Sequence, residues 1–192
     1  MATTPEMTLM GQKQAEQLSI IITGGLGCIG LAITSCLSTR FPQAKIYVLD
    51  LFLPNDHRIP ENKSQMKDDR FHEGVTKYFK VDVTDYSSSL EVFRSVKPRV
   101  VIHTAALIPN AAKKLRVGNE DLTKVNVSGT KNVLDAARAA GAEVLVLTSS
   151  CDVVKRNSWE DLVNVSEKDD DLGVNANWDE KYPETKVIFN RY

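Results

Sequence analysis

Short apolar runs alternate with helical patterns from residue 18 onward, and this alternation predicts the fold of the chain. Five of the runs are apolar at nearly every position, which is typical of strands covered on both faces of a sheet. Strands of this kind are usually parallel, so we predict a sheet of five parallel strands. The predicted strands are Leu18–Thr23, Lys45–Leu49, Lys77–Val81, Arg99–Thr104 and Glu143–Thr148.

Three segments between these strands carry apolar residues at helical spacing. In the first segment Ile29, Ile33 and Leu37 recur every four positions. The third segment ends at Gly141, a residue type that readily forms the left-handed turn at a helix end. Right-handed crossovers between parallel strands make this an α/β fold, a Rossmann-like doubly wound sheet with strand order 3-2-1-4-5. The predicted helices are Gly27–Thr39, Ser87–Val96 and Asn119–Ala140.

Three stretches fall outside the alternation. Residues 51–76 and 152–181 are largely polar, and we predict loops over the carboxyl edge of the sheet, where ligands bind in this architecture. The second stretch contains an acidic run, Glu167 to Asp171, which would equally suit a solvated surface. Residues 1–17 lack the apolar core of a secretory signal, so we predict a short flexible arm before one domain over residues 18–192.

The balance of charges narrows the classes of partner. The 192 residues include 24 Lys and Arg against 25 Asp and Glu, which argues against electrostatic binding of nucleic acid or an anionic membrane. The longest apolar runs fall far below the ~20 residues that cross a bilayer, so no membrane span is predicted. Cys28, Cys36 and Cys151 match no metal-ligand or redox spacing, which predicts no metal site and reduced, buried thiols in a cytosol-facing protein.

A glycine-rich turn follows the first predicted strand, in the sequence TGGLGCIG at residues 23–30. Its glycines lie three apart, directly before an apolar helix. A pyrophosphate can approach backbone amides only where side chains leave room, and the positive end of the helix dipole attracts the anion. An ordinary tight turn is the alternative, but the strand before and the helix after favour dinucleotide binding. The predicted cofactor contacts are Gly24, Gly27, Cys28, Ile29 and Gly30.

Asp50 ends the second predicted strand, twenty residues after Gly30. A carboxylate at this distance can accept hydrogen bonds from the adenosine ribose hydroxyls and would repel a 2′-phosphate. The sequence therefore predicts NAD rather than NADP as the cofactor, with a strand-end turn residue as the alternative role for Asp50.

Further cofactor contacts are expected where the third and fourth strands end. Asp82 could bond the adenine amino group, with the backbone of Val83 lining the same pocket, although Asp82 could instead cap a helix. His103 lies inside the fourth predicted strand, so we expect a packed, hydrogen-bonded side chain rather than a catalytic one. Small residues after it would let the cofactor diphosphate and nicotinamide ribose pass close to the chain; they are Thr104, Ala105 and Ala106.

A catalytic motif is predicted near the end of the sequence. Tyr182 and Lys186 lie four residues apart, so they share one face of a helix. A phenol with a pKa of about 10 is a poor base at neutral pH, but a nearby ammonium stabilises the phenolate and lowers that pKa. Tyr182 thus becomes a usable general base, and Ser150, after the fifth strand, could hold the substrate oxygen beside it.

The sequence resembles the extended short-chain dehydrogenase/reductase family over residues 18–186, through TGGLGCIG, VDVTD (81–85), HTAA (103–106), VNVSGT (125–130), TSS (148–150) and YPETK (182–186). Within the family it is most similar to the 3β-hydroxysteroid dehydrogenase branch, which includes the decarboxylating sterol-4α-carboxylate 3-dehydrogenases. The resemblance implies that Tyr182 is the catalytic acid/base, Lys186 binds the nicotinamide ribose and Ser150 aligns the substrate. It also implies that Asn126 supports the proton relay, although Asn126 could simply bond neighbouring backbone.

The implied reaction is NAD-linked oxidation of a secondary alcohol of a sterol-like substrate to the ketone. The same resemblance implies a possible homodimer, through helix Asn119–Ala140 and the helix starting at Tyr182, and a cytoplasmic location at the cytosolic face of the endoplasmic reticulum. Only six residues follow Lys186, so we expect the family's substrate domain to be missing and cofactor binding to survive better than turnover. The alternatives are a nucleotide-sugar epimerase or dehydratase and a catalytically idle NAD-binding module.

Overall fold

The computed structural model describes residues 18–53, 73–108 and 118–150, together with Thr185. Five strands lie in these ranges: β1 (Ser19–Thr23), β2 (Lys45–Asp50), β3 (Val75–Lys80), β4 (Val100–His103) and β5 (Val144–Leu147). The helices are α1 (Cys28–Arg40), α2 (Tyr86–Val96), α3 (Asn119–Thr123), a π-helical segment (Lys124–Gly129) and α4 (Thr130–Ala139). All five predicted strands are confirmed, and the predicted arm at residues 1–17 and most of the two predicted loops lie outside the described residues.

The strands form one parallel sheet in the order β3-β2-β1-β4-β5, which confirms the predicted topology. At the centre Ile21 lies opposite Tyr47 of β2 and Val101 of β4. The chain winds from β1 to β2 on one side and returns to β4 on the other, so the strand order reverses beside β1. Ligands bind at the carboxyl edge of such a reversal, which places the candidate site next to Thr23.

Each face of the sheet has its own apolar core because side chains alternate between faces along a strand. On one face Ile21 and Val101 pack with Phe93 of α2 and Val133 of α4. On the other face the alternate residues of β1 and β2 pack with α1 and its partly buried residues; this group includes Ile20, Ile22, Ile46, Ile33 and Leu37. The sheet is thereby a rigid support for the loops at its carboxyl edge.

Strand β3 begins at Val75, two residues before the predicted start, so the end of the predicted 51–76 loop was wrong. Ile46 pairs with Val75 and Tyr47 pairs with Lys77, which leaves Thr76 as an extra residue on β3. Thr76 and Lys77 are exposed, so the start of this outer strand lacks the continuous apolar pattern that would have marked Val75 and Thr76 as part of it. Val81 lies just past the strand but still donates its N–H to the Asp50 carbonyl at 2.8 Å.

The predicted helix Asn119–Ala140 is interrupted by the π-helical segment Lys124–Gly129. The Thr130 hydroxyl donates to the Asn126 carbonyl at 2.8 Å within this irregular turn. A Cβ on Gly129 would lie 2.8 Å from a methyl group of Val83, so the helix approaches the loop after β3 closely there. The predicted end is confirmed, because Gly141 adopts a left-handed φ of 78°.

Helix α1 differs from the prediction in what it buries. Ile29, in the first turn of α1, was expected on the apolar face with Ile33 and Leu37, but it is 52% exposed. Cys28 and Cys36 are free thiols, yet the expectation that they are buried is wrong. Cys28 is the first residue of the helix. Cys36 lies two residues after the buried Thr34, a rotation of about 200° around the helix axis, so its side chain lies on the other side of the helix. Cys151 lies outside the described residues.

None of the helices in the described ranges has the length and apolar character needed to cross a membrane. Within the same ranges, no group of three or more His, Cys, Asp or Glu side chains is placed to hold a metal ion.

Candidate functional site

The glycine-rich turn joins the ends of β1, β2 and β4 at the carboxyl edge of the sheet. Gly24 has a left-handed φ of 67°, and its N–H donates to the Leu49 carbonyl at 2.8 Å. A Cβ on Gly24 would lie 2.6 Å from the Ala105 backbone, and one on Gly30 would collide with the Gly24 carbonyl oxygen. Glycine at these two positions therefore lets α1 and the residue after Thr104 close around the turn.

The first turn of α1 is uncapped. Its N-cap residue, Gly27, has no side chain to accept from the amides, no acidic residue lies in the first turn, and Gly27, Cys28 and Ile29 are exposed. Helix α2 is the contrast within this chain, because the Asp85 carboxylate accepts from the N–H groups of Ser87 and Ser88. The amides and the positive dipole of α1 are thus presented to solvent, which suits an anion such as a pyrophosphate.

Asp50 is tied to the glycine-rich turn. Its Oδ2 accepts the N–H of Leu26 at 3.0 Å, and its Oδ1 accepts the N–H of Phe52 at 3.3 Å. Burial raises the pKa of this carboxyl, and the hydrogen bonds from Leu26 and Phe52 act in the opposite direction. Asp50 therefore has the alternative role predicted for it, that of a turn residue at the end of a strand. Each carboxylate oxygen has a second lone pair, so Asp50 can also accept hydrogen bonds from ribose hydroxyls.

Asp82 is exposed, and its Oδ1 accepts the N–H of Thr84 at 2.8 Å. The alternative that Asp82 caps a helix is wrong, since Asp85 is the cap of α2. Val83 is buried, and its carbonyl accepts from the Asn132 side chain at 3.0 Å. Two consecutive residues after β3 therefore differ in exposure: the Asp82 carboxylate faces solvent and the Val83 side chain is buried.

The residues after β4 line the other side of the glycine-rich turn. The Thr104 hydroxyl donates to the Thr23 carbonyl at 2.8 Å and lies 3.2 Å from the Gly24 carbonyl. Ala105 is half-buried against Gly24, while Ala106 is exposed. Small side chains thus line this side of the turn; whether they leave room for a cofactor stays a prediction.

His103 is buried and hydrogen-bonded, which confirms the expectation of a packed side chain. Its Nδ1 lies 2.6 Å from the Thr23 hydroxyl and its Nε2 lies 2.9 Å from the Thr130 hydroxyl. Both ring nitrogens are therefore engaged within the fold.

The Asn126 side chain forms hydrogen bonds with backbone, which was the alternative to a role in the proton relay. It also contacts Thr185, a residue that the sequence analysis missed. Its Oδ1 accepts the Leu107 N–H at 2.7 Å, and its Nδ2 donates to the Leu107 carbonyl at 3.0 Å and to the Thr185 hydroxyl at 3.1 Å. Ser150 is half-buried after β5, and Tyr182 and Lys186 lie outside the described residues. No periodicity marks Thr185; its place inside YPETK is the only signal in the sequence.

The model of the 3-beta hydroxysteroid dehydrogenase/isomerase family matches residues 21–192. The chain belongs to this family. The resemblance found in the sequence is thereby confirmed, and the matched region contains the whole glycine-rich turn.

Two curated members of related function illustrate the match. The chain is 29% identical over 149 residues to a decarboxylating sterol-4-alpha-carboxylate 3-dehydrogenase from Candida albicans, covering 78% of this chain and 38% of that protein. It is 33% identical over 146 residues to mouse 3 beta-hydroxysteroid dehydrogenase type 7, covering 75% of this chain and 36% of the mouse protein. The chain thus spans less than two-fifths of the length of these relatives.

The fold of this family member also matches a solved structure. The UDP-glucose 4-epimerase of Thermus thermophilus, crystallised in complex with NAD, superposes with a TM-score of 0.65 at 25% identity. The superposition covers 91% of this chain and 49% of the epimerase. The described sheet and its carboxyl-edge loops therefore correspond to part of a larger enzyme fold.

Proposed function

We propose that the chain binds NAD and oxidises a secondary alcohol, a 3β-hydroxysteroid or sterol, to the ketone. The observation that carries the proposal is the uncapped first turn of α1, which is joined to Asp50 through the Leu26 amide. An anion site and a ribose acceptor are thereby connected by one short turn, at the spacing that a dinucleotide requires.

The residues at the carboxyl edge of the sheet each have a role in holding the cofactor. Amides at the start of α1 bind the pyrophosphate, the Asp50 carboxylate accepts from the adenosine ribose, and Asp82 with the Val83 backbone borders the adenine. The small side chains after β4 leave room for the diphosphate and the nicotinamide ribose; these are Thr104, Ala105 and Ala106.

The Tyr182 phenolate takes the hydroxyl proton of the alcohol. Lys186 stabilises that phenolate by its charge and bonds the nicotinamide ribose, and Ser150 donates a hydrogen bond to the substrate oxygen. NAD, when bound, accepts the hydride from the carbon that carries this oxygen. The proton and the hydride together account for the two hydrogens that the alcohol loses.

The substrate class rests on the sterol and steroid dehydrogenases among the relatives. A sterol partitions into membranes, so we place the chain in the cytoplasm, at the cytosolic face of the endoplasmic reticulum. Recovery of the protein from a lumenal fraction after membrane separation would contradict this location.

Nucleotide-sugar epimerisation or dehydration is the second candidate, favoured by the superposition on UDP-glucose 4-epimerase. Such enzymes return the hydride to the substrate and keep their cofactor, so NAD that stays bound through purification would support this candidate. A catalytically idle NAD-binding module is the third, and cofactor binding without oxidation of any alcohol would support it.

The proposal is tested by measuring thermal unfolding of the full chain with NAD and with NADP, followed by NADH formation from a 3β-hydroxysterol. We expect NAD to raise the unfolding temperature more than NADP and the sterol to yield NADH. Stabilisation without NADH formation would identify the idle module, and no stabilisation by either nucleotide would refute the cofactor site.

Replacing Asp50 with asparagine is expected to lower the preference for NAD over NADP by about tenfold, since removing a like charge near a 2′-phosphate is worth on the order of 1 kcal/mol or more. Dissociation constants of both nucleotides, measured by calorimetry, check this result. Asp135→Asn is the matched control, because Asp135 is paired with Lys131 on the exposed side of α4. An unchanged preference in Asp50→Asn would remove Asp50 from the ribose site.

Self-association as a homodimer is part of the same proposal. Val144 and Val146, which share one face of β5, are 49% and 48% exposed, and exposed apolar residues on one face favour contact with another chain. Sedimentation velocity over a range of protein concentrations should show a dimer, which Val146→Lys weakens. A monomer at every concentration would contradict the proposal.

A further inference from the structure

We infer that Thr185 is a positioning residue: its hydroxyl, held by the side chain of Asn126, sets the placement of the Tyr182 and Lys186 pair. The inference rests on the proposed function, since it concerns how that catalytic pair is held. Thr185 follows Tyr182 by three residues and directly precedes Lys186. It is helical and fully buried, at 0% exposure.

The contact between Asn126 and Thr185 has only one orientation that satisfies its groups. The Leu107 N–H requires an oxygen opposite it, which fixes Oδ1 of Asn126 at 2.7 Å. The amide nitrogen must then face the Leu107 carbonyl at 3.0 Å and the Thr185 hydroxyl at 3.1 Å. An NH₂ group has two hydrogens, so these two acceptors use both of them. Asn126 is 1% exposed, so solvent water cannot take the place of these protein partners.

Asn126 is itself held by a series of buried hydrogen bonds. The Thr130 hydroxyl gives its one proton to the Asn126 carbonyl at 2.8 Å, so its oxygen accepts from Nε2 of His103 at 2.9 Å. Nδ1 of His103 lies 2.6 Å from the Thr23 hydroxyl, which extends the series to the end of β1. This series, which we name the polar chain, consists of Thr23, His103, Thr130, Asn126 and Thr185, all of them buried.

The polar chain connects the two halves of the proposed site. Thr23 ends β1 immediately before the glycine-rich turn, and Thr185 lies within the catalytic motif. The π-helical segment carries Asn126 at the midpoint, in contact with the Leu107 backbone after β4. This link joins Thr185, the residue directly before Lys186, to the end of β1 beside the cofactor turn.

Removing the Thr185 hydroxyl should therefore displace the catalytic pair. The Asn126 N–H would lose its acceptor in a buried place, which favours any movement that lets it find another. A displacement of about 1 Å can lower a rate roughly a hundredfold. A shift of Lys186 relative to Tyr182 would also weaken the stabilisation of the phenolate, because that stabilisation falls with distance.

The test compares three variants of the full chain: Thr185→Val, which keeps the shape without the hydroxyl, Thr185→Ser, which keeps the hydroxyl, and Thr185→Ala. Tyr182 is titrated by its ultraviolet phenolate absorbance, as the difference between each protein and the same protein carrying Tyr182→Phe. We expect a pKa below about 10 for Tyr182 in the wild type and in Thr185→Ser, and a return toward about 10 in Thr185→Val. Thr185→Ala should show the same pKa change as Thr185→Val, and it replaces the valine variant in the comparison if that variant does not fold.

A residue with a merely structural role would lower the unfolding temperature and leave the pKa of Tyr182 unchanged. An unchanged pKa in Thr185→Val or Thr185→Ala, or a serine variant as impaired as the valine variant, would overturn the inference. Failure of the proposed function gives a different result from failure of the inference alone. In that case Tyr182 of the wild type would itself have an ordinary pKa of about 10. That result would overturn the inference as well.

Discussion

Gly30→Ala is expected to lower the NAD affinity of the chain roughly a hundredfold and its free energy of unfolding by about 1–3 kcal/mol. An added Cβ would collide with the Gly24 carbonyl and the Gly25 backbone, so the start of α1 would have to move away from the turn. Two hydrogen bonds from helix amides to the pyrophosphate, each worth on the order of 1.5 kcal/mol, would then be lost. Calorimetric titration with NAD and denaturant unfolding measure the two effects.

Gly118→Ala is the matched control for this prediction. A Cβ on Gly118 would meet no atom within 4 Å, and its φ of −93° suits any residue. We therefore expect this variant to unfold and bind NAD as the wild type does. If Gly30→Ala bound NAD with unchanged affinity, the glycine-rich turn would not be the cofactor site.

Tyr182→Phe is expected to lower kcat for oxidation of a 3β-hydroxysterol by about 10² to 10⁴, the usual contribution of a general base. The phenylalanine fills the same space and cannot take the alcohol proton. The dissociation constant of NAD should change by less than about twofold, because Tyr182 is not among the proposed cofactor contacts. NADH formation and a separate NAD titration provide the two measurements.

Tyr86→Phe supplies the same chemical change at a surface position. Tyr86 is the first residue of α2 and is 39% exposed. This control should keep the wild-type kcat. Undiminished oxidation in Tyr182→Phe would remove Tyr182 from the catalytic role, whatever the cofactor data show.

The sheet could be predicted from the sequence because its strands are apolar on both faces. Such runs stand out in the chain, and the right-handed crossover rule then leaves few possible strand orders. Other features depend on contacts between distant segments. The π-helical segment forms where Gly129 meets Val83, and Ile29 is exposed although it shares the helical spacing of Ile33 and Leu37. The spacing of apolar residues in the sequence predicts neither the π-helical segment nor the exposure of Ile29.

The same division holds at the candidate site. The glycine-rich turn and the place of Asp50 at the end of β2 were predictable, since strand, glycines and helix follow one another directly in the sequence. The bond from the Leu26 amide to Asp50 and the contact between Asn126 and Thr185 were not. They join residues 24 and 59 positions apart through polar side chains, which have no hydrophobic period to reveal them.

The irregular pairing between β2 and β3 makes the two edges of the sheet chemically unlike. At the β3 edge the extra Thr76 disturbs the ladder, and Lys77 and Lys80 place charge along it, two devices that discourage a foreign strand from adding there. At the opposite edge of the described sheet, β5 is regular and consists of valine and leucine alone. The β5 edge of the described sheet therefore lacks both features that protect the β3 edge against an added strand.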